Sequence, residues 1–177
     1  MKLLIIYFSY TGNNKLLAEH IGRTLDAHVV GVQEKRKRMG LTMLLDMVFK
    51  RAAKIQPLTV SPREYEHVLF IAPLWDMNIA FPMKAAIEQL RDSLSMFSFI
   101  SFCGYARAGQ VEHVQQELNN LVGQAPQQVW ELHVSELFPP EKRNKVTIVT
   151  PHKVTPGELM KFQTQIDEIL LYFKKNR

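Results

Sequence analysis

The chain has 177 residues and only one cysteine, Cys103. One cysteine cannot form a disulfide bond within the chain, and it cannot supply the several thiolates that an iron–sulfur cluster needs. The composition therefore predicts a reducing, cytoplasmic environment. We interpret Cys103 as a small packed residue rather than as a reactive thiol.

Long apolar runs and several common motifs are also missing. No stretch of about 20 apolar residues occurs, so we predict no transmembrane helix, and we find no signal peptide before the first strand. The sequence has neither the G-x-G-x-x-G dinucleotide fingerprint nor the G-x-x-x-x-G-K-S/T motif of nucleoside triphosphatases. His20 and His113 lack partners at metal-ligand spacing, and no nucleophile-elbow pattern occurs. We therefore predict no metal site and no catalytic nucleophile.

The chain carries an excess of positive charge. Its formal net charge is +5 and its pI is about 9.4, which favours an anionic substrate or contact with an acidic membrane surface. The basic run Lys35–Arg38 is typical of a solvated loop. It is too short for a nucleic-acid platform and lacks the interleaved aromatic residues, so we predict no nucleic-acid partner.

Apolar segments alternate with amphipathic helical segments along the chain. The first, Leu3–Phe8, is apolar at each position, which suits a strand buried on both faces of a parallel sheet. The alternation predicts one α/β domain over residues 1–177. It is a three-layer sandwich with helices on both faces of a five-stranded parallel sheet of order 2-1-3-4-5. The other predicted strands cover residues 27–32, 67–72, 97–102 and 128–134, the last at a sheet edge.

Residues 137–156 form an irregular excursion before the last helix. Within it, Lys145–Thr150 is predicted to be a short strand or an extended segment. Thr155 and Glu158 then have the spacing of a capping box, which predicts the start of the last helix.

Another helix is predicted from Gly40 to about Lys54. Met43, Met47 and Phe49 lie off its main apolar face, so it is apolar over more of its surface than one core contact needs. The simpler interpretation is a helix between two layers. The alternative is a surface that covers a substrate pocket or forms a homodimer contact.

The segment after the first strand predicts an anion site. Small or polar residues, Ser9–Asn14, connect the strand to a helix. The first N–H groups of a helix have no intrahelical partner, and the helix dipole adds partial positive charge there. Gly12 permits a positive φ or a close approach to a phosphate. The alternative is an ordinary turn in which an Asn or Thr side chain caps the helix.

The loops after strands one, three and four are predicted to meet, because a ligand in this strand order lies at the switch point between strands one and three. Trp75, after strand three, offers a plane on which a flat ring can stack, although it could instead cap the core. The loop Cys103–Gly109 offers backbone amides and Tyr105 for the ring edge. A phosphate at one end and a stacked ring at the other describe a mononucleotide such as FMN.

Two of these loops resemble the flavodoxin-like family. Ser9–Asn14 is similar to the family's six-residue phosphate loop. In that loop, Thr and Gly occupy the third and fourth positions, Ser or Thr the first, Asn or Thr the fifth, and Thr or Ser the sixth. This chain departs from the pattern at Asn14, which is expected to cap the helix and donate through its amide in place of a hydroxyl. Pro73–Lys84 resembles the family's segment that begins Pro-aliphatic-Trp and ends Pro-Val/Met-Lys. The resemblance implies a flavodoxin-like sandwich that binds FMN through Ser9, Tyr10, Thr11, Gly12, Asn13, Asn14, Pro73, Leu74, Trp75, Asp76, Met77, Asn78, Cys103, Gly104, Tyr105 and Gly109.

The resemblance also implies a function. Such proteins pass electrons from NAD(P)H through FMN to a quinone-like or other small acceptor, so no side chain is assigned as an essential acid or base. One alternative is a one-electron carrier that serves a redox protein, although the basic charge is unlike the acidic flavodoxins. The other is a binding module of this fold that has lost FMN.

Overall fold

The computed structural model describes residues 2–35 and 53–175. Nearly all of the helix predicted from Gly40, and all but the first residue of the basic run Lys35–Arg38, lie outside the described residues. Both therefore stay predictions. Within the described ranges, no helix is long and apolar enough to cross a membrane.

A parallel sheet forms the centre of the protein. The strands are β1 (Leu3–Tyr7), β2 (His28–Gly31), β3 (His67–Ile71), β4 (Leu74–Trp75), β5 (Asn78–Ile79), β6 (Phe97–Cys103) and β7 (Val129–His133). Five of them form the sheet in the order β2-β1-β3-β6-β7, and β4 and β5 form a separate antiparallel hairpin. When the five strands of the sheet are numbered without the hairpin, their order is 2-1-3-4-5. This confirms the predicted topology, with β7 at the edge.

The central strands owe their position to their composition. Residues Leu4–Ile6 of β1 and Leu69–Ile71 of β3 are fully buried. A strand that is apolar at every position needs cover on both faces, and only the middle of such a sheet provides it. β7 is half-buried at most of its positions and lies at the edge.

Helices cover both faces of the sheet and create two apolar cores. The helices of the described residues are α1 (Asn13–Leu25), α2 (Phe81–Leu90), α3 (Gln110–Val122), α4 (Val146–Val149), α5 (Pro156–Leu159) and α6 (Gln163–Lys175). Helices α1 and α6 pack on one face through residues such as Ile21 and Ile169. Helices α2 and α3 pack on the other through residues such as Ile87 and Leu118. Each helix therefore turns an apolar face to the sheet, as its amphipathic character predicted.

The excursion contains a helical turn where a strand or an extended segment was predicted. That prediction, for Lys145–Thr150, is wrong, because residues 146–149 form helix α4. β-branched residues favour strands only weakly, and packing decides between structures. Here the turn buries Val149 in the core beside α1 and leaves Val146 exposed.

The start of the last helical region is confirmed. The Glu158 N–H donates to Thr155 Oγ1 at 3.3 Å, and the Thr155 N–H donates to Glu158 Oε2 at 2.9 Å. These bonds make the predicted capping box. A 3-10 turn, Met160–Phe162, then separates α5 from α6.

Candidate functional site

The loop after β1 leads into a helix N-terminus without a side-chain cap. Gly12 is the N-cap of α1, with a φ of 103°. The first intrahelical bond runs from the Leu16 N–H to the Gly12 carbonyl at 3.0 Å, so the amides of residues 13–15 have no acceptor within the helix. Ser9 Oγ accepts from the Gly12 N–H at 3.0 Å and shapes the loop. The turn with an Asn or Thr cap is therefore not the one that forms, and the N-terminus of α1 keeps backbone N–H groups that can bind an anion.

Asn13 and Asn14 tie this loop to other parts of the chain. Asn13 donates to the His152 carbonyl and accepts from the Val154 N–H, both at 2.9 Å. Asn14 donates to the Phe102 carbonyl at 3.0 Å and accepts from the Phe102 N–H at 3.1 Å. Both side chains are buried. The expectation that Asn14 caps the helix is wrong, because its side chain bonds the backbone of Phe102 in β6 instead.

The β4–β5 hairpin after β3 presents Trp75. Its ring packs edge-on against Phe8, with 6.0 Å between the ring centroids, and against Phe81, at 5.9 Å. Two edge-to-face contacts fix the plane of the indole. Because Trp75 is only half-buried, this fixed ring also forms part of a cleft wall.

Side chains from α2 and α3 hold the hairpin in place. The Ile79 N–H donates to Glu117 Oε2 at 2.8 Å, and the other oxygen of Glu117 pairs with Lys84. His113 Nε2 lies 3.2 Å from Asn78 Oδ1. The position of Trp75 is therefore set by the helices behind it.

The turn of the hairpin is strained, and glycine should relieve the strain. Asp76 and Met77 have φ values of 49° and 67°, a region that is unfavourable for residues with a side chain. We expect Met77→Gly to raise the free energy of unfolding by up to about 1 kcal/mol in urea denaturation. Met160→Gly is the control, because Met160 has a φ of −63° and glycine there only adds entropy to the unfolded chain. Equal destabilisation of both variants would contradict the presence of backbone strain at Met77.

The loop after β6 closes the opposite side of the cleft. Tyr105 Oη is buried and has no hydrogen-bond partner among the described residues. Arg107 donates to Asp76 Oδ1 at 2.7 Å, so an ion pair joins this loop to the hairpin turn. Both side chains are at least half exposed, and such pairs contribute little to stability. Cys103 is buried and receives a weak bond from Gln110 at 3.6 Å, which fits its interpretation as a packed residue.

These loops surround a cleft of about 570 Å³, within the usual range for small-molecule sites. Most of the predicted site residues line it: Tyr10, Thr11, Asn13, Asn14, Pro73, Leu74, Trp75, Asp76, Cys103, Gly104 and Tyr105. The others belong to the same loops but do not form the wall: Ser9, Gly12, Met77, Asn78 and Gly109. The three loops therefore line one cleft, as the strand order predicted.

The rest of the wall was not assigned from the sequence. It consists of Phe102, Arg107, Val134, Val146, Val149, Thr150 and Pro151. Most of these residues belong to the 137–156 excursion, which Asn13 fastens to the phosphate loop. The available signal was the excursion itself, an irregular segment that begins after the carboxyl end of β7, the same end of the sheet at which the three loops lie.

The cleft carries little charge. Among its lining residues within the described ranges, Asp76 and Arg107 are the only ordinarily ionised side chains, and they pair with each other. Within the same ranges, no group of three or more His, Cys, Asp or Glu residues could hold a metal ion. The wall is mainly apolar, with backbone amides at one end.

His133, at the end of β7, lies between two carboxylates behind Cys103. Its Nε2 lies 3.1 Å from Glu131 and its Nδ1 lies 3.2 Å from Glu136. Burial disfavours the charged ring, but hydrogen bonds with Cys103 and both carboxylates outweigh it and raise the pKa of His133 to about 10. The ring is therefore an imidazolium at neutral pH.

This raised pKa makes stability depend on alkaline pH. Between the pKa of an unfolded histidine, about 6.5, and the folded value of about 10, only the folded protein holds the proton. The free energy of unfolding should therefore fall as pH rises through this window, by at most about 1.4 kcal/mol per pH unit. Urea denaturation should give a flatter pH profile for His133→Gln. The control His20→Gln, on α1, should keep the wild-type slope, and parallel profiles for all three proteins would contradict the assignment.

Comparison with known proteins places the fold. No model of a known protein family matches the chain, and no curated protein does. A flavoprotein from Lactobacillus acidophilus NCFM, solved in complex with FMN, matches with a TM-score of 0.64 at 18% identity, over 73% of this chain and 92% of that one. A flavodoxin, a WrbA-like protein from Agrobacterium tumefaciens, matches with a TM-score of 0.52 at 13% identity, over 99% of each chain. The chain therefore has the flavodoxin-like fold that its loop motifs implied.

Proposed function

We propose that the protein binds FMN in this cleft and acts as an oxidoreductase. The observation that carries the proposal is the convergence of the uncapped N-terminus of α1, the fixed ring of Trp75 and the loop after β6 on the cleft. The likeness in fold to a flavoprotein that holds FMN supports it.

The residues at one end of the cleft fit a phosphate. Nothing lies within 4 Å of the point where a Cβ at Gly12 would stand, so the loop backbone is open to a ligand. The amides at the start of α1 and the hydroxyl of Thr11, which lines the cleft, make a donor set that suits a phosphate. Because Asn13 and Asn14 bond elsewhere, their side chains hold the loop rather than the anion.

The residues at the other end fit a flat heteroaromatic ring. Trp75 offers an aromatic surface, and Val146 and Val149 offer apolar contact on the wall formed by α4. Tyr105 Oη, buried without a partner among the described residues, is a polar atom that a ring substituent could satisfy. The apolar wall with a few polar groups is the usual composition of a cofactor site.

Bound FMN would supply the redox chemistry, taking electrons from NAD(P)H and giving them to a quinone-like or other small acceptor. The residues of this chain hold and orient it. The α1 amides fix the phosphate, Trp75 sets the plane of the ring, and Val146 and Val149 exclude water from one side. The paired Asp76 and Arg107 leave no unbalanced carboxylate in the cleft wall. We place this activity in the reducing cytoplasm.

The proposed reaction predicts NADH or NADPH oxidation by the FMN-loaded protein. A water-soluble quinone serves as acceptor, and free FMN at equal concentration is the control. We expect turnover clearly above that of free FMN with at least one of the two nucleotides. Tight FMN binding with no turnover would contradict the enzyme and favour a one-electron carrier. No FMN binding would favour a partner-binding module of the same fold.

A further inference from the structure

An exposed row of residues borders the mouth of the cleft. Residues 139–148 are all exposed. The N–H groups of Lys142, Lys145 and Ile148 donate to the carbonyls of Pro139, Lys142 and Lys145 at 2.9, 3.0 and 2.9 Å. These bonds close successive turns of the chain, with Lys145 in an extended conformation between two short helical turns. Pro139, Lys142, Lys145 and Ile148 follow one another along this exposed segment, and we call them the rim row.

Exposed aliphatic side chains lie next to the basic side chains of this rim. Ile148 is 36% exposed, and its neighbour Val146, which also lines the cleft, is 62% exposed. A single exposed aliphatic residue is ordinary. Two of them within one helical turn, beside lysines and at a cleft mouth, instead make a small amphipathic surface.

The charge around the rim row has one sign. Residues 139–153 contain four basic residues, Lys142, Arg143, Lys145 and Lys153, against one acidic residue, Glu141. Within the described residues, neither Lys142 nor Lys145 makes an ion pair, so their charges are free to meet an anionic partner.

We propose that the rim row docks the protein on an anionic lipid surface, with the cleft mouth turned toward the bilayer. Clustered lysines are attracted to acidic headgroups, and their alkyl stems lie along the acyl boundary beside aliphatic side chains. Protein interfaces are enriched in aromatic residues and depleted of lysine, whereas the 139–151 segment has two lysines and no aromatic residue. This docking goes beyond the proposed function, because it does not depend on what the cleft binds.

Vesicle co-sedimentation tests the proposal with the full chain. The vesicles contain either phosphatidylcholine alone or phosphatidylcholine and phosphatidylglycerol in equal parts. We expect binding to the second kind only, with release at high salt. Each lysine near an anionic surface strengthens binding roughly fivefold, so the double variant Lys142→Gln/Lys145→Gln should bind on the order of 25-fold more weakly.

A matched variant separates this row from the general charge of the protein. Lys174 and Lys175 end α6, and their neighbour Phe173 contacts His67 at the start of β3, so they lie near the amino ends of the strands, away from the cleft at the carboxyl ends. The variant Lys174→Gln/Lys175→Gln removes the same charge and should keep nearly wild-type binding. Circular dichroism confirms that each variant is folded.

A second matched pair of variants tests how much the apolar side chains contribute to vesicle binding. Ile148→Ser should weaken vesicle binding, whereas Leu171→Ser should not, because Leu171 is 53% exposed on α6 and lies outside the rim row. No binding by the wild-type protein, or equal loss in both lysine variants, would overturn the proposal. Stronger binding to soluble polyglutamate than to the vesicles, at equal negative charge, would also overturn it and assign the surface to an acidic protein.

Discussion

Replacement of Asn14 by alanine is expected to lower the free energy of unfolding by about 2–4 kcal/mol. The Asn14 side chain bonds both the N–H and the carbonyl of Phe102 inside the protein, at 3.1 and 3.0 Å. Alanine would leave two buried backbone groups without partners, and each such group costs about 1–3 kcal/mol. Urea denaturation of the wild-type protein and the variant measures the difference directly.

Asn120→Ala is the control for this experiment. Asn120 is exposed on α3, and alanine has the higher helix propensity, so its stability should stay the same or rise slightly. We also expect weaker FMN binding in Asn14→Ala alone, because Asn14 fixes the phosphate loop against β6. A loss of stability below about 0.5 kcal/mol would contradict the role of Asn14 as a link between the loops.

Replacement of Trp75 by leucine is expected to weaken FMN binding by roughly tenfold to a hundredfold. Stacking of a heteroaromatic ring on an aromatic side chain is worth about 1–3 kcal/mol, and leucine keeps only part of the apolar contact. Phe8 and Phe81 already hold the indole in one plane, so the ring needs no reorganisation on binding. A titration followed by FMN fluorescence gives the dissociation constant.

The second tryptophan of the chain supplies the matched control. Trp130 packs against Tyr172 and Phe173, with ring centroids 5.3 and 6.0 Å apart, away from the cleft. Trp130→Leu should lower stability through lost packing but leave the affinity for FMN unchanged. If Trp75→Leu binds FMN as tightly as Trp130→Leu does, the ring does not stack on Trp75.

The topology followed from the sequence because burial and periodicity agree in the strands and helices that make the sheet. Leu3–Tyr7 is apolar throughout and lies in the middle of the sheet, and α6 buries apolar side chains at helical spacing, such as Ile166, Ile169 and Phe173. The helical turn in the 137–156 excursion did not follow from the sequence, because its β-branched residues favour a strand in isolation. The deciding contact, between Val149 and the core beside α1, joins residues far apart in the chain.

The site was predictable in its loops but not in the roles of its side chains. Gly12 and Trp75 lie where the pattern placed them. Asn14 does not act as expected, since a polar residue in a phosphate loop can bond a ligand or the protein, and the sequence does not distinguish the two. The apolar wall of α4 was missed for a related reason: its residues reach the cleft through contacts between distant parts of the chain, which are the core packing of Val149 and the Asn13 bonds to His152 and Val154.

An FMN titration of the purified protein tests the central claim most directly. The absorbance spectrum is recorded first, and FMN is added if the protein is colourless. We predict flavin absorbance as purified, or saturable uptake of one FMN per chain at submicromolar affinity, weakened in Trp75→Leu and unchanged in Trp130→Leu. A folded wild-type protein that takes up no FMN at millimolar concentration would contradict the assignment of the cleft.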